Sequence, residues 1–102
     1  MKIIAKLSEM IEEEIADAEK YARCALNYKE DRKALADMFY ELSNGELEHM
    51  NKLHAQVVGL IEEYRKANGE PTADMKTLYD YLHKQHINKA AEVKIMLAMY
   101  KG

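Results

Sequence analysis

Apolar residues recur along the chain at intervals of three and four, the spacing that places them on one side of an α-helix. This pattern predicts three helices, at about residues 3–27, 32–67 and 73–100. Glycine occurs four times and proline once, and neither interrupts the first 44 residues. No useful length of the chain alternates with period two, so no strand is predicted. We therefore expect one all-α domain over residues 1–102, an antiparallel bundle of three helices.

Each predicted helix carries an apolar stripe that should face the core. The first stripe contains Ile4, Leu7, Ile11, Ala18, Ala22 and Ala25. The second contains Leu35, Phe39, Leu42, Met50, Leu53, Val57, Leu60 and Tyr64. The third contains Met75, Leu78, Leu82, Val93, Met96 and Tyr100. Three long stripes in 102 residues are enough to enclose a single core.

The helix ends are predicted from capping residues. Asp31 is a suitable N-cap for the second helix, because its carboxylate can accept a hydrogen bond from a free backbone N–H. Gly69 and Pro71 mark the end of that helix, and Thr72 or Asp74 opens the third. Gly59 could admit a close neighbour.

Three polar residues fall within the apolar stripes. At about 100° per residue, Glu14 lies within about 30° of the first stripe's centre. On the second helix, Glu46 lies about 10° and His49 about 50° from the centre. Nearby acidic residues on the three helices, Glu13, Glu48 and Asp80, point outward. Among the other histidines, His86 lies within about 30° of the third stripe's centre, whereas His54 and His83 lie at edges.

Glu14 and Glu46 need compensation if they are buried. An unpaired buried carboxylate costs several kcal/mol, and two close together repel each other. Protonation, a cationic side chain or a metal ion would remove the penalty, and no Lys or Arg shares this part of the stripes. A metal ion would neutralise both carboxylates and accept the imidazole lone pair of His49. The alternative is a helical bundle whose mouth or oligomer seam is polar.

Composition excludes several classes of function. The net charge is −3 and no basic block is present, so neither nucleic acid nor an anionic membrane is expected as a partner. No apolar run approaches the roughly 20 residues needed to span a bilayer. The start of the sequence becomes acidic before any signal-peptide core, and we expect a cytoplasmic protein. Cys24 is the one cysteine, which excludes an internal disulfide and a thiolate zinc cluster.

The spacing of the polar stripe residues resembles a known pattern. Glu14 is followed by Tyr21 seven residues later and by the run ELEH, from Glu46 to His49, 32 residues after Glu14. This pattern, together with ADMFYELSNGELEHMNKL, resembles the ferritin-like di-iron carboxylate superfamily, particularly rubrerythrin-type domains and encapsulated ferritins. The likeness covers about residues 7–60.

The resemblance implies a helical bundle with iron, or alternatively manganese, between the helices. Glu14 would be a terminal ligand, Glu46 a bridging carboxylate and His49 a terminal imidazole. Tyr21 would support the ligands by hydrogen bonding. His86 would either line the site from outside the ligand set or be a hydrogen-bonded residue of a helix seam.

The chain departs from the family pattern in having one half of the expected site. A full ferritin-like bundle has two such halves, and the third helix offers no inward Glu-x-x-His. Two chains would supply four carboxylates and two imidazoles, so we expect a homodimer or a larger even oligomer. Such a site implies ferroxidase- or peroxidase-type chemistry. The alternative is a non-enzymatic helical interaction or scaffold protein that has the fold and no functional metal site.

Overall fold

The structure is a computed structural model, and it describes residues 2–102. It consists of the helices α1 (Lys2–Tyr28), α2 (Lys33–Asn68) and α3 (Ala73–Lys101). No strand occurs among the described residues. The prediction of an all-α bundle of three helices is therefore confirmed, and each boundary lies close to the position that the sequence predicts. None of these helices contains a stretch long and apolar enough to cross a membrane.

Two of the helix ends follow the predicted capping chemistry. Gly69 ends α2 with a φ of 80°, a left-handed conformation that glycine adopts without strain. Thr72 precedes α3, and its side chain accepts a hydrogen bond from the backbone N–H of Met75 at 3.2 Å. The prediction of Asp31 as the N-cap of α2 was wrong: Arg32 occupies that position and its side chain makes no capping hydrogen bond.

The three helices run up, down and up. Ser43 of α2 lies against Ala18 and Phe39 against Tyr21, so the paired numbers run in opposite directions and α1 is antiparallel to α2. Lys29 donates a hydrogen bond to the backbone carbonyl of Met99, at the far end of α3. Helix α3 therefore runs parallel to α1, and most of its contacts are with α1 rather than with α2.

The core is narrow because its central residues are small. The fully buried face of α1 carries Ala18 and Ala22, and Ser43 of α2 is 0% exposed. The Ser43 hydroxyl donates a 2.7 Å hydrogen bond to the backbone carbonyl of Ala18, which satisfies a polar group inside the core. Larger residues complete this core on either side of the small ones, namely Ile11, Ile15, Leu47, Met50, Val93 and Leu97.

A second buried cluster fixes the C-terminal end of α3 to the turn between α1 and α2. Tyr100 packs with Ala25 and Ala36, and its ring stacks on Tyr40 at 5.1 Å between centroids. The Tyr100 hydroxyl donates a hydrogen bond to Asp37. These contacts hold α3 in place at the end of the bundle where its chain finishes.

Parts of the predicted stripes do not face the core. Leu42 is 40% exposed and Leu78 is 53% exposed, although both were assigned to buried stripes. On α2 the buried positions are Met50, as predicted, and Ala36, Ser43 and Leu47, which the predicted stripe did not include. The reason is that α3 packs beside α1, so the buried face of α2 turns toward the space between α1 and α3. One edge of the predicted α2 stripe is left at the surface.

Candidate metal centre

The hydrogen bond between Ser43 and Ala18 sets the register in which α1 and α2 face each other. Glu14 lies one turn before Ala18 on α1. Glu46 lies one turn after Ser43 on α2, and His49 lies one turn beyond Glu46. Because the helices are antiparallel, these positions meet on the same level of the bundle. The close approach that the small residues allow therefore brings side chains from two helices together.

Glu14, Glu46 and His49 converge at this point, and we call them the carboxylate group. One ligand atom from each lies within 4.8 Å of the others. The Nδ1 atom of His49 is 3.5 Å from Oε2 of Glu14 and 3.6 Å from Oε2 of Glu46. No other set of three or more acidic, histidine or cysteine side chains converges in this way within residues 2–102. The three residues that periodicity predicts to share a site do lie together.

The two carboxylates are partly shielded from water and lack a strong cationic partner. Their side chains are 25% and 20% exposed, whereas His49 is 56% exposed. Oε2 of Glu14 is fully buried and has no hydrogen-bond partner in the described part of the chain. The neighbouring carboxyl group of Glu46 raises the pKa of Glu14 most, because a protonated Glu14 can share a hydrogen bond with it. Burial and repulsion by the charge of Glu46 raise this pKa further, whereas His49 lowers it. Glu14 is thus poorly compensated when it is charged.

The donor set fits a divalent metal ion. Two ligand atoms that each lie about 2.1 Å from one ion are separated by about 3.0–3.4 Å. The distances of 3.5 and 3.6 Å from His49 to the carboxylates are near that spacing, and they are long for an N–H···O hydrogen bond. Carboxylate and imidazole ligands together suit iron and manganese. Three side chains from one chain would leave coordination positions open.

Tyr21 and His86, the two residues expected to lie beside the ligands, are found in different parts of the bundle. The ring of Tyr21 on α1 stacks on the ring of Phe39 on α2, with centroids 6.1 Å apart. His86 is outside the converging group: its Nε2 atom lies 3.6 Å from Oε1 of Glu12, on the side of α1 that faces α3. The three outward acidic residues, Glu13, Glu48 and Asp80, are exposed as predicted.

A second group of side chains was not found from the sequence. His54 of α2 stacks on His83 of α3 with ring centroids 4.7 Å apart and an angle of 17° between the planes. The sequence does indicate part of this group, because His83 and His86 are three residues apart and therefore lie on the same side of α3. We call His54, His83 and His86 the imidazole cluster. The contribution of His54 depends on the register of α2 against α3, which periodicity does not supply.

The imidazole cluster borders two cavities. The first, of about 230 Å³, also has Ile4, Ser8, Ile11 and Asp80 in its wall. The second, of about 300 Å³, also has Met50, Ile87 and Lys94 in its wall. Burial lowers the pKa of His54, and the neighbouring His83 and His86 lower it further. Burial also lowers the pKa of His86, and the facing Glu12 offsets this only in part.

Comparison of the chain with family models, with curated proteins and with solved structures found no match.

Proposed function

We propose that this chain is a ferritin-like metal-binding protein that holds two iron or manganese ions across a homodimer. The observation that carries the proposal is the convergence of Glu14, Glu46 and His49 from two helices with a buried, unpartnered carboxylate oxygen. Among the described residues no ion pair with Lys or Arg stabilises these carboxylates, which leaves protonation or a metal ion. Within residues 2–102, the one ion-pair partner of either carboxylate is His49, and neither pairs with Lys or Arg.

The resemblance assigns the roles of the three residues. Glu46 would be the carboxylate that bridges the two ions, and its ligand atom lies within 4.8 Å of those of Glu14 and His49. Glu14 and His49 would each bind one ion from the side. Leu47 and Met50 pack in the core beneath the group and keep water from that side. Iron held by such ligands supplies electron transfer to dioxygen or peroxide, and the open coordination positions provide access.

A second copy of the chain would complete the ligand set and cover an apolar margin. Met10 lies one turn before Glu14, and Leu42 lies one turn before Glu46. Both are large apolar residues that remain 39% and 40% exposed. Met38, one turn before Leu42 on α2, is 43% exposed. Exposed apolar residues around a charged centre are what an interface between two copies would bury.

The decisive experiment measures the melting temperature of metal-free protein with Mn(II) in air and with Fe(II) under anaerobic conditions. Binding to the folded state adds RT ln(1 + [L]/Kd), about 2.7 kcal/mol at a hundredfold excess over Kd. Wild-type protein should therefore melt at a higher temperature with either ion. Glu46→Ala should abolish the rise. Glu48→Ala, an exposed carboxylate two residues away, should leave it intact.

Assembly is tested on the same samples. Light scattering of the metal-loaded protein at micromolar concentration should give the mass of a dimer or a larger even oligomer. Metal analysis should give one ion per chain, because two chains share two ions. A strictly monomeric metal-loaded protein, or identical melts for Glu46→Ala and Glu48→Ala, would refute the proposal.

The second candidate is a non-enzymatic helical interaction protein, and the surface of α3 favours it. Its side away from the core carries large apolar residues that are more than half exposed: Leu78, Tyr81, Ile95 and Met99. A partner helix could bury them without any metal. This candidate predicts no melt shift with Mn(II) or Fe(II), so the experiment above separates the two.

A further inference from the structure

The imidazole cluster contains a buried polar atom that has no partner. The His86 side chain is 9% exposed, and its Nε2 atom is buried without a hydrogen bond to any of the described residues. The nearest charged group is Oε1 of Glu12, at 3.6 Å. That distance exceeds the usual length of an N–H···O hydrogen bond. Buried polar groups are normally satisfied, so this nitrogen is a candidate to bind a ligand.

The 3.6 Å separation is close to the spacing of two ligands on one metal ion. In a tetrahedral zinc site with bonds of about 2.1 Å, neighbouring ligand atoms lie about 3.4 Å apart. An ion seated between His86 and Glu12 would satisfy the imidazole lone pair and the carboxylate at once. His54 and His83, on the same cavity walls, offer two further imidazole nitrogens.

The charges around the cluster are mixed. Glu12 and Asp80 attract a cation, whereas Lys89 near His86 and Lys94 in the wall of the second cavity repel one. An imidazole binds a metal in its neutral form, because a protonated ring has no lone pair to offer.

We propose that His54, His83 and His86, with Glu12, form a second metal site that takes a zinc-like divalent ion. The site is separate from the carboxylate group and does not depend on the proposed function. Three imidazoles and one carboxylate are the ligand types of zinc, whereas iron and manganese are better served by the oxygen-rich group across α1. Glu12 lines neither cavity, so we place the ion between His86 and Glu12 at the edge of the first cavity, because Lys94 borders the second.

Closing the site requires side-chain rotation. The rings of His54 and His83 are stacked with centroids 4.7 Å apart, and the ligand atoms of the imidazole cluster do not yet converge as those of the carboxylate group do. His83 is exposed, and the cavity of about 230 Å³ beside it leaves room for a change of rotamer that would separate the two rings. The backbone can remain in place, because His83 and His86 already occupy one side of α3.

The test is calorimetric titration of Zn(II) into metal-free protein that carries no affinity tag. Wild-type protein should bind one Zn(II) per chain in this site. His54→Gln and His83→Gln should each weaken the binding by at least ~10-fold, since loss of even an outer supporting contact costs that much. Lys84→Gln, the exposed position next to His83, serves as the matched control and should bind as the wild type does.

Glu46→Ala removes one ligand of the carboxylate group, so that Zn(II) binding by the imidazole cluster is measured without competition from that group. That variant should still bind Zn(II) in the imidazole cluster, and Co(II) in its place should give the visible spectrum of a tetrahedral site with nitrogen ligands. If Zn(II) binding is lost in Glu46→Ala but kept in His54→Gln and His83→Gln, the zinc belongs to the carboxylate group and the proposal fails. Absence of Zn(II) binding by the wild type at micromolar concentration would equally overturn it.

Discussion

The carboxylate group lies at the seam of α1 and α2, whereas the imidazole cluster lies where α3 approaches the same two helices. Each brings titratable side chains together in partial burial, and each disfavours the charged form of at least one residue. The penalised charge is opposite: Glu14 resists losing its proton, while His54 and His86 resist gaining one. For Glu14 the neighbouring carboxyl group of Glu46 contributes most, and burial adds to it, whereas burial is the main cause for the two histidines. Burial disfavours whichever form is charged, so this shared contribution acts in opposite directions on acids and on imidazoles.

The two regions also differ in how far they are organised. Ligand atoms of the carboxylate group already lie within 4.8 Å of each other. In the imidazole cluster, one pair of rings is stacked and one nitrogen is buried without a partner. The difference follows from helix packing: α1 and α2 are held close by Ala18 and Ser43, whereas α3 makes few contacts with α2. Helices that pack closely fix the orientation of the side chains between them, whereas helices that lie further apart leave cavities between them.

The largest expected loss of stability comes from truncating a side chain in the wall of the cavities beside the imidazole cluster. Ile11 is 2% exposed and borders both cavities. Ile11→Ala should lower the free energy of unfolding by about 2–5 kcal/mol, because it enlarges space that is already poorly filled. Chemical denaturation of metal-free protein measures this loss. Ile3→Ala, at a position 52% exposed, should change stability by less than about 0.5 kcal/mol.

The same variant sharpens the comparison. If the carboxylate group is organised by the contact between Ala18 and Ser43, Ile11→Ala should still show a rise in melting temperature with Mn(II). Loss of that rise would mean that the two regions are one cooperative unit.

Acid should stabilise the metal-free protein at the carboxylate group, because protonation removes the cost of a charged Glu14. With the pKa of Glu14 raised above 4.5, the folded state keeps a proton that the unfolded chain releases, so stability falls as pH rises from 4.5 through the folded-state pKa. Glu14→Gln should therefore be more stable than the metal-free wild type at pH 7, and the difference should disappear below pH 4.5. Denaturation with a chelator between pH 4 and 7.5 tests this. Glu13→Gln, which is exposed, should show no such pH dependence.

Acid should have the opposite effect on the imidazole cluster. With the pKa of His54 lowered from 6.5, the unfolded chain takes up a proton before the folded state does, so stability falls as pH drops below 6.5. His54→Gln should match the wild type in pH slope above 6.5 and lose part of the decline below it. Lys84→Gln should follow the wild-type curve throughout. Equal slopes for His54→Gln and the wild type below pH 6.5 would contradict the prediction.

The smallest effects are expected at two glycines, one beside each region. Gly45 precedes Glu46, Gly59 follows Val58 in the cavity wall, and neither has an atom within 4 Å of where a Cβ would lie. Gly45→Ala and Gly59→Ala should each raise stability by about 0.5–1 kcal/mol, because glycine is costly inside a helix. Thermal melts at low protein concentration measure both. A loss of dimer with Gly45→Ala would locate the second copy beside the carboxylate group.

Helix periodicity and caps predicted most of the architecture. The long runs without glycine or proline, the stop at Gly69 and the start at Thr72 are local signals, and each is realised. The position of Glu14 relative to Glu46 and His49 was also accessible, because Glu14 and Glu46 lie near stripe centres and His49 lies on the same side of α2 as Glu46. The expectation that His49 points inward was wrong, because its side chain is 56% exposed. Periodicity does not indicate on which side of the α1–α2 pair the third helix packs. The placement of α3 beside α1 turned Leu42 toward the surface and brought Leu47 into the core.

The imidazole cluster was missed for a related reason. His54 and His83 each lie at the edge of a stripe, where a residue faces either solvent or the adjacent helix according to the packing angle. Only the register between α2 and α3 distinguishes the two outcomes. His86 was predicted to point inward, either as a residue lining the carboxylate group or as a hydrogen-bonded residue of a helix seam; its contact is with Glu12, on another side of α1. The ferritin-like resemblance itself stays a prediction.

The unequal lengths of the helices have a consequence for local unfolding. Helix α2 has 36 residues and α1 has 27, and Ile4 borders the same cavity as Ile61 and Tyr79. The last turns of α2 and the first of α3 therefore extend past α1 as a two-helix tip. No residue between 62 and 78 is buried. Amide hydrogens of the tip should exchange with solvent through openings far less costly than global unfolding, with the first cavity marking where protection begins.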